Sequence, residues 1–165
     1  MKILVDADSC PRLVREAVLR ASARTGIQAV FAANRPIPDI AGETAVMELC
    51  PPGEGSADNR IVELACPGDL VVTRDIPLAS RLVEASIMVL DDRGRIYTQE
   101  NIRERLSLRN FMVDLAENGL GSTRWTSYGK RELKAFADSF DRILTQLRGT
   151  LLPADLTQDR GSVSV

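Results

Sequence analysis

The chain contains no histidine. Its absence removes the side chain most often used as a general base near neutral pH, and with it Ser-His-Asp triads, histidine-ligated zinc and haem held through imidazole. Cysteine is scarce: Cys10, Cys50 and Cys66 form no Cys-x-x-Cys pair, and an odd number argues against a disulfide framework, so they read as reduced thiols. Lysine is nearly missing, with Lys2, Lys130 and Lys134 the only examples. No apolar run reaches the roughly 18 to 20 residues that a membrane span needs. From Met1 the chain enters Ile3, Leu4 and Val5 with no basic leader or cleavage signal, so the expectation is a soluble, cytoplasmic protein without a membrane partner.

What is present describes one globular core. The chain has 165 residues, 44% of them hydrophobic and 27% charged, a balance far from that of disordered chains and a length suited to a single domain. Its 21 basic and 23 acidic residues give a net charge of -2, which excludes a strongly basic nucleic-acid binder. Yet arginines crowd one stretch, at Arg93, Arg95, Arg103, Arg105 and Arg109. A planar guanidinium suits phosphate and carboxylate groups. The alternative is a solvated helix face paired with Glu100 and Glu104.

Apolar runs of strand length alternate with segments of helical period, the pattern of βαβ units around a mostly parallel sheet. Strands are predicted at 2–5, 27–32, 45–49, 70–73 and 87–90. The first helix begins near Pro11, with Ser9 or Cys10 near its cap, and ends by Gly26. Further helices are predicted at 58–66, 77–85, 99–118 and 130–147, with 51–56 a Gly-rich loop able to move. In the last helix Leu133, Phe136, Ala137, Phe140, Ile143, Leu144 and Leu147 form one apolar stripe. Six of the seven aromatic residues lie from Tyr97 onward, so the two C-terminal helices are expected to cover one face of the sheet with their aromatic side. The fold class is α/β, a three-layer sandwich with about five strands, formed by residues 1–148 and followed by a flexible tail at 149–165.

Ligands of an open parallel sheet bind beyond the carboxyl ends of the strands, where strand order reverses. The acids collect at such ends: Asp6 and Asp8 after the first strand, Asp58 at the start of the helix after the third, Asp75 after the fourth, and Asp91 with Asp92 after the fifth. Two carboxylates about 4 Å apart repel by roughly 4 kcal/mol at an effective dielectric near 20, so a cluster of the first four must protonate or hold a cation. Oxygen ligands alone favour a hard ion, Mg²⁺ or Mn²⁺. Such an ion supports phosphodiester hydrolysis without histidine. In this reading Asp6, Asp8 and Asp75 hold the metal, Asp58 ligates it directly or through water, and the arginine group steers a polyanion toward the acidic mouth. Each acid has a structural alternative, Asp58 and Asp75 as helix caps, Asp6 and Asp8 as turn acceptors.

The segments Asp6-Ala7-Asp8-Ser9-Cys10-Pro11, Ala33-Asn34, Ala57-Asp58-Asn59, Gly68-Asp69 through Thr73-Arg74-Asp75-Ile76-Pro77-Leu78-Ala79, Arg93-Gly94, Tyr97-Thr98 and Arg109-Asn110-Phe111-Met112 together closely resemble the YaiI/YqxD family of small bacterial proteins. The match runs over about residues 1 to 148. The resemblance implies a PIN-like nuclease fold, in which acidic residues gather around Mg²⁺ or Mn²⁺ to cut RNA, and so implies catalytic and metal-binding roles for Asp6, Asp8, Asp58 and Asp75. Asn34, Arg74, Arg103 and Arg109 are the candidates for substrate contact. The chain departs from the family pattern at Asp91-Asp92, which are read as peripheral to the site, and in the loop from Gly119 to Gly129.

Two other readings compete. An aspartate-nucleophile phosphohydrolase of haloacid dehalogenase type also opens with a strand and Asp-x-Asp, which would make Asp6 the nucleophile and Asp8 a general acid. The lysine that chemistry expects is missing between Lys2 and Lys130. A catalytically silent PIN-like module, binding RNA or a protein, is the other reading, and self-association is left open. Cys10 has no histidine to activate it and reads as a small buried residue, while Trp125 and Tyr128 could stack on bases or simply pack.

Overall fold

A computed structural model describes residues 1–121 and 127–151, the side chains of 150 and 151 excepted. Trp125 and the chain beyond 151 lie outside the described residues. Six strands and five helices follow in the order β1 (Ile3–Asp6), α1 (Arg12–Thr25), β2 (Ala29–Ala33), β3 (Ala45–Leu49), α2 (Ser56–Leu64), β4 (Leu70–Val72), α3 (Ile76–Glu84), β5 (Met88–Leu90), β6 (Ile96–Tyr97), α4 (Gln99–Glu117) and α5 (Lys130–Leu151). The sheet order is β3-β2-β1-β4-β5-β6, parallel throughout except for the β5–β6 pair.

Because strand side chains alternate, β1 divides its residues between two cores. Ile3 and Val5 join Phe31, Leu70, Val72 and Leu90 beneath α1 and α5, while Leu4 joins Val30, Val71 and Val89 beneath α2 and α3. The expected three-layer α/β sandwich is therefore present, consistent with a PIN-like fold. The central strands are buried on both sides, which is why β1, β2 and β4 read as continuous apolar runs.

Three expectations change. The sixth strand, β6, returns antiparallel after the Asp91–Gly94 turn and is too short to show alternation. The cap of α1 is Pro11, with no side-chain capping bond, because Ser9 turns back to Asp6. The C-terminal helices do not share one face. Helix α5 packs Phe136 and Phe140 with α1, their rings stacked 5.2 Å apart. Helix α4 lies on the opposite side against α3, buries Ile102 and leaves Phe111 58% exposed. Helix α5 runs to Leu151.

The β5–β6 turn is locked to α5. Asp91 accepts hydrogen bonds from the N–H groups of Arg93 (2.9 Å) and Arg95 (2.7 Å), and Gly94, at φ 82, presses so close to the Ala135 carbonyl that a Cβ would lie 2.3 Å from its oxygen. Only glycine fits both the backbone angle and the approach.

Candidate functional site

Strand order reverses between β1 and β4, and the site lies beyond their carboxyl ends. A hydrogen-bonded chain joins them. Thr73 Oγ1 donates to Asp6 Oδ2 at 2.8 Å and accepts from the Asp75 N–H at 3.0 Å, while Ser9 Oγ donates to Asp6 and accepts from the Arg74 N–H at 3.3 Å. Arg15 braces the turn from below by donating to the carbonyls of Ala7 and Cys10.

Above this chain opens a cleft of about 270 Å³, lined by Asp6, Asp8, Ser9, Asn34, Gly55, Ala57, Asp58 and Asp75. The four acids expected to act together thus border one space. They differ in how far the fold has already engaged them. Asp6 is 3% exposed with both oxygens accepting from Ser9 or Thr73, which suits an anchored ligand better than an attacking nucleophile. Asp8 accepts from the Asn34 N–H at 2.7 Å and lies 3.4 Å from Arg35 Nε. Asp75 caps α3, accepting from the Leu78 N–H at 2.7 Å, so its structural alternative is real for one of its two oxygens.

Asp58 is the exception. Gly55, at φ 75, takes the cap position of α2, which places Asp58 inside the first turn with no capping bond. Its carboxylate accepts no hydrogen bond among the described residues. Burial, then the charges of Asp6, Asp75 and Asp8, push its pKa up to about 6, with Arg81 opposing. The cleft therefore holds more negative charge than its surroundings balance.

The chemistry of the donors fits a hard divalent cation, since every side chain available is an oxygen donor. Their placement does not yet form a cage: among the described residues no three His, Cys, Asp or Glu side chains are arranged to hold a metal ion. Asp58 and the second oxygen of Asp75 are uncommitted, whereas Asp8 would have to share its oxygens with Asn34 and Arg35.

The substrate-contact candidates separate. Asn34 lines the cleft, but its side chain ties down the 51–56 loop, donating to the Gly53 carbonyl at 3.1 Å and accepting from Ser56 at 2.7 Å. Arg74 is at the edge of the site, half-exposed, with Nε 3.2 Å from Asp92. Arg103 and Arg109 are on α4, exposed and absent from the cleft lining, and no ion pair joins them to Glu100 or Glu104. The arginines beside the acids are instead Arg35, paired with Asp8, and Arg81, which donates to Asn59 at 3.0 Å next to Asp58. Sequence reasoning missed both, and also Ser9 and Thr73; the hydroxyls sit inside the quoted motifs, but isolated arginines carry no signal of their own.

Asp91 and Asp92 are buried, at the turn and beside Arg74. Cys10 is buried, its thiol directed at the Val72 carbonyl, and burial together with Asp6 and Asp92 drives its pKa far up, which disfavours the thiolate a nucleophile needs. Tyr128 donates its hydroxyl to the Asp92 carbonyl at 2.7 Å, a packing role. Among the described residues no helix is long and apolar enough to cross a membrane.

Comparison with known proteins agrees with the motifs. Residues 4–146 match the family described as "Uncharacterized BCR, YaiI/YqxD family". A UPF0178 protein of Treponema pallidum is 51% identical over 147 residues, which cover 89% of this chain and 83% of the relative. UPF0178 proteins of Myxococcus xanthus and Geobacter metallireducens are 45% and 43% identical, covering 89% and 93% of this chain and 96% and 99% of their own lengths. No solved structure matches the chain. On motif order, length and identity alike, the chain belongs to the YaiI/YqxD family.

Proposed function

We propose that the protein is a divalent-metal-dependent phosphodiesterase acting on RNA rather than DNA. The observation that supports this is the convergence of Asp6, Asp8, Asp58 and Asp75, carried by separate elements, on one cleft at the strand-order reversal. Asp58 and Asp75 would supply the most accessible oxygens to Mg²⁺ or Mn²⁺, with Asp6 and Asp8 completing the set. The ion would polarise a phosphoryl oxygen and lower the pKa of a bound water. Arg35 and Arg81 would face the phosphates at the rim, offsetting the acidic mouth.

The test is thermal unfolding in EDTA and then with Mn²⁺ or Mg²⁺ titrated, alongside cleavage of a single-stranded RNA. Binding to the native state raises stability by RT ln(1 + [L]/Kd). The expected result is a saturable rise in Tm and metal-dependent cleavage, both lost in Asp58→Asn. Absence of any metal response in the wild type would favour a silent binding module, the reading supported by the structural bonds that Asp6, Asp8 and Asp75 already make.

A further inference from the structure

Asp92 Oδ2 is the one buried side-chain polar atom, among the described residues, that has no hydrogen-bond partner. The side chain is 5% exposed and its backbone is fixed, with its carbonyl accepting from Tyr128 and its neighbour Asp91 organising the turn locked to α5. A buried carboxylate without compensation is costly. The nearest compensation is Arg74, with Arg93 adding a weaker attraction: Arg74 Nε lies 3.2 Å from Oδ2, at ion-pair distance although not aligned for a hydrogen bond.

Arg74 is equally constrained at its other end. Its N–H donates to Ser9 Oγ, the residue before it bonds Asp6, and the residue after it lines the cleft. Contact through Nε leaves Nη1 and Nη2 with no hydrogen bond to any described residue, and the side chain is 44% exposed. An ion pair at Nε leaves the two Nη groups to be offered as a fork, the geometry that takes two phosphate oxygens.

We infer that Asp92 is a positioning residue, which holds the Arg74 guanidinium at the edge of the cleft with its Nη groups free to take a phosphate of the nucleic acid. This rests on the phosphodiesterase reading of the cleft. Asp92 does not itself touch substrate.

The test is a double-mutant cycle with Arg74→Ala, Asp92→Asn and the double variant, read in RNA cleavage with Mn²⁺ and in thermal unfolding. The expected result is that Asp92→Asn and Arg74→Ala each raise KM about tenfold while kcat changes little, and that the double variant is no worse than Arg74→Ala alone. A wild-type KM in Asp92→Asn overturns the inference. So does a further rise in KM when Asp92→Asn is added to Arg74→Ala. An RNA-inert wild type overturns the functional reading and the positioning role with it, and a non-additive unfolding cycle in that case marks the pair as structural only.

Discussion

At the scale of the residue, the cleft is a set of carboxylates in unequal states. Asp58 is the one whose charge the fold opposes, and this has a pH signature. Its pKa is pushed from the ordinary carboxylate range up to about 6 in the folded chain, so the folded state holds a proton that the unfolded state releases in the window between. Its contribution is fully present below about pH 4 and lost as the pH rises through about 6. Asp58→Asn is therefore expected to melt a few degrees above the wild type at neutral pH and level with it near pH 4, as thermal scans at the two pH values would show. Asp69 behaves oppositely. Burial alone would raise its pKa, but the side chain and N–H of Lys2 and the N–H of Cys66 outweigh that, and the net shift is downward. Its stabilisation is present above the ordinary carboxylate pKa and lost on acidification. Asp69→Ala, which strands these donors, should cost about 2 kcal/mol in denaturant unfolding at neutral pH.

At the scale of the element, the turn between β5 and β6 is the least forgiving segment. Gly94→Ala must fit a methyl against the backbone of Ala135 at a left-handed φ, and is expected to cost about 3 kcal/mol or more, visible as a lower denaturant midpoint. Strands buried on both faces announce themselves as apolar runs, and Asp6 and Asp8 stand out as acids at the end of such a run, although their bonds to Ser9, Thr73 and the Asn34 N–H emerge only on folding. The roles of Asp58 and Asp75 were not separable, since both precede or open helices; the structure divides them by giving the α2 cap to Gly55 and the α3 cap to Asp75. Helix α4 misled in another way. Its apolar residues are spread around the axis, so periodicity could not tell that only Ile102 is buried while Leu108, Phe111 and Met112 are largely exposed. Partners of the cleft such as Arg35 and Arg81 come from separate segments, and only folding makes them neighbours.

At the scale of the whole molecule, one sheet separates two cores that share no side chains. Ile61 belongs to one and Ile143 to the other, both essentially buried. Ile61→Val and Ile143→Val should each cost about 1 kcal/mol, and the double variant close to their sum, because the sites have no common packing partners; a clear departure from additivity in urea unfolding would mean that the sheet transmits strain. The same layering bears on the order in which the protein is made. The six strands of the described residues and the rim of the cleft are synthesised before α5, whose Phe136, Phe140 and Ile143 close the first core. Until the ribosome releases α5, Ile3, Val5 and Phe31 form an apolar wall covered by α1 alone, a surface on which a nascent chain would draw a chaperone or stick to its neighbours.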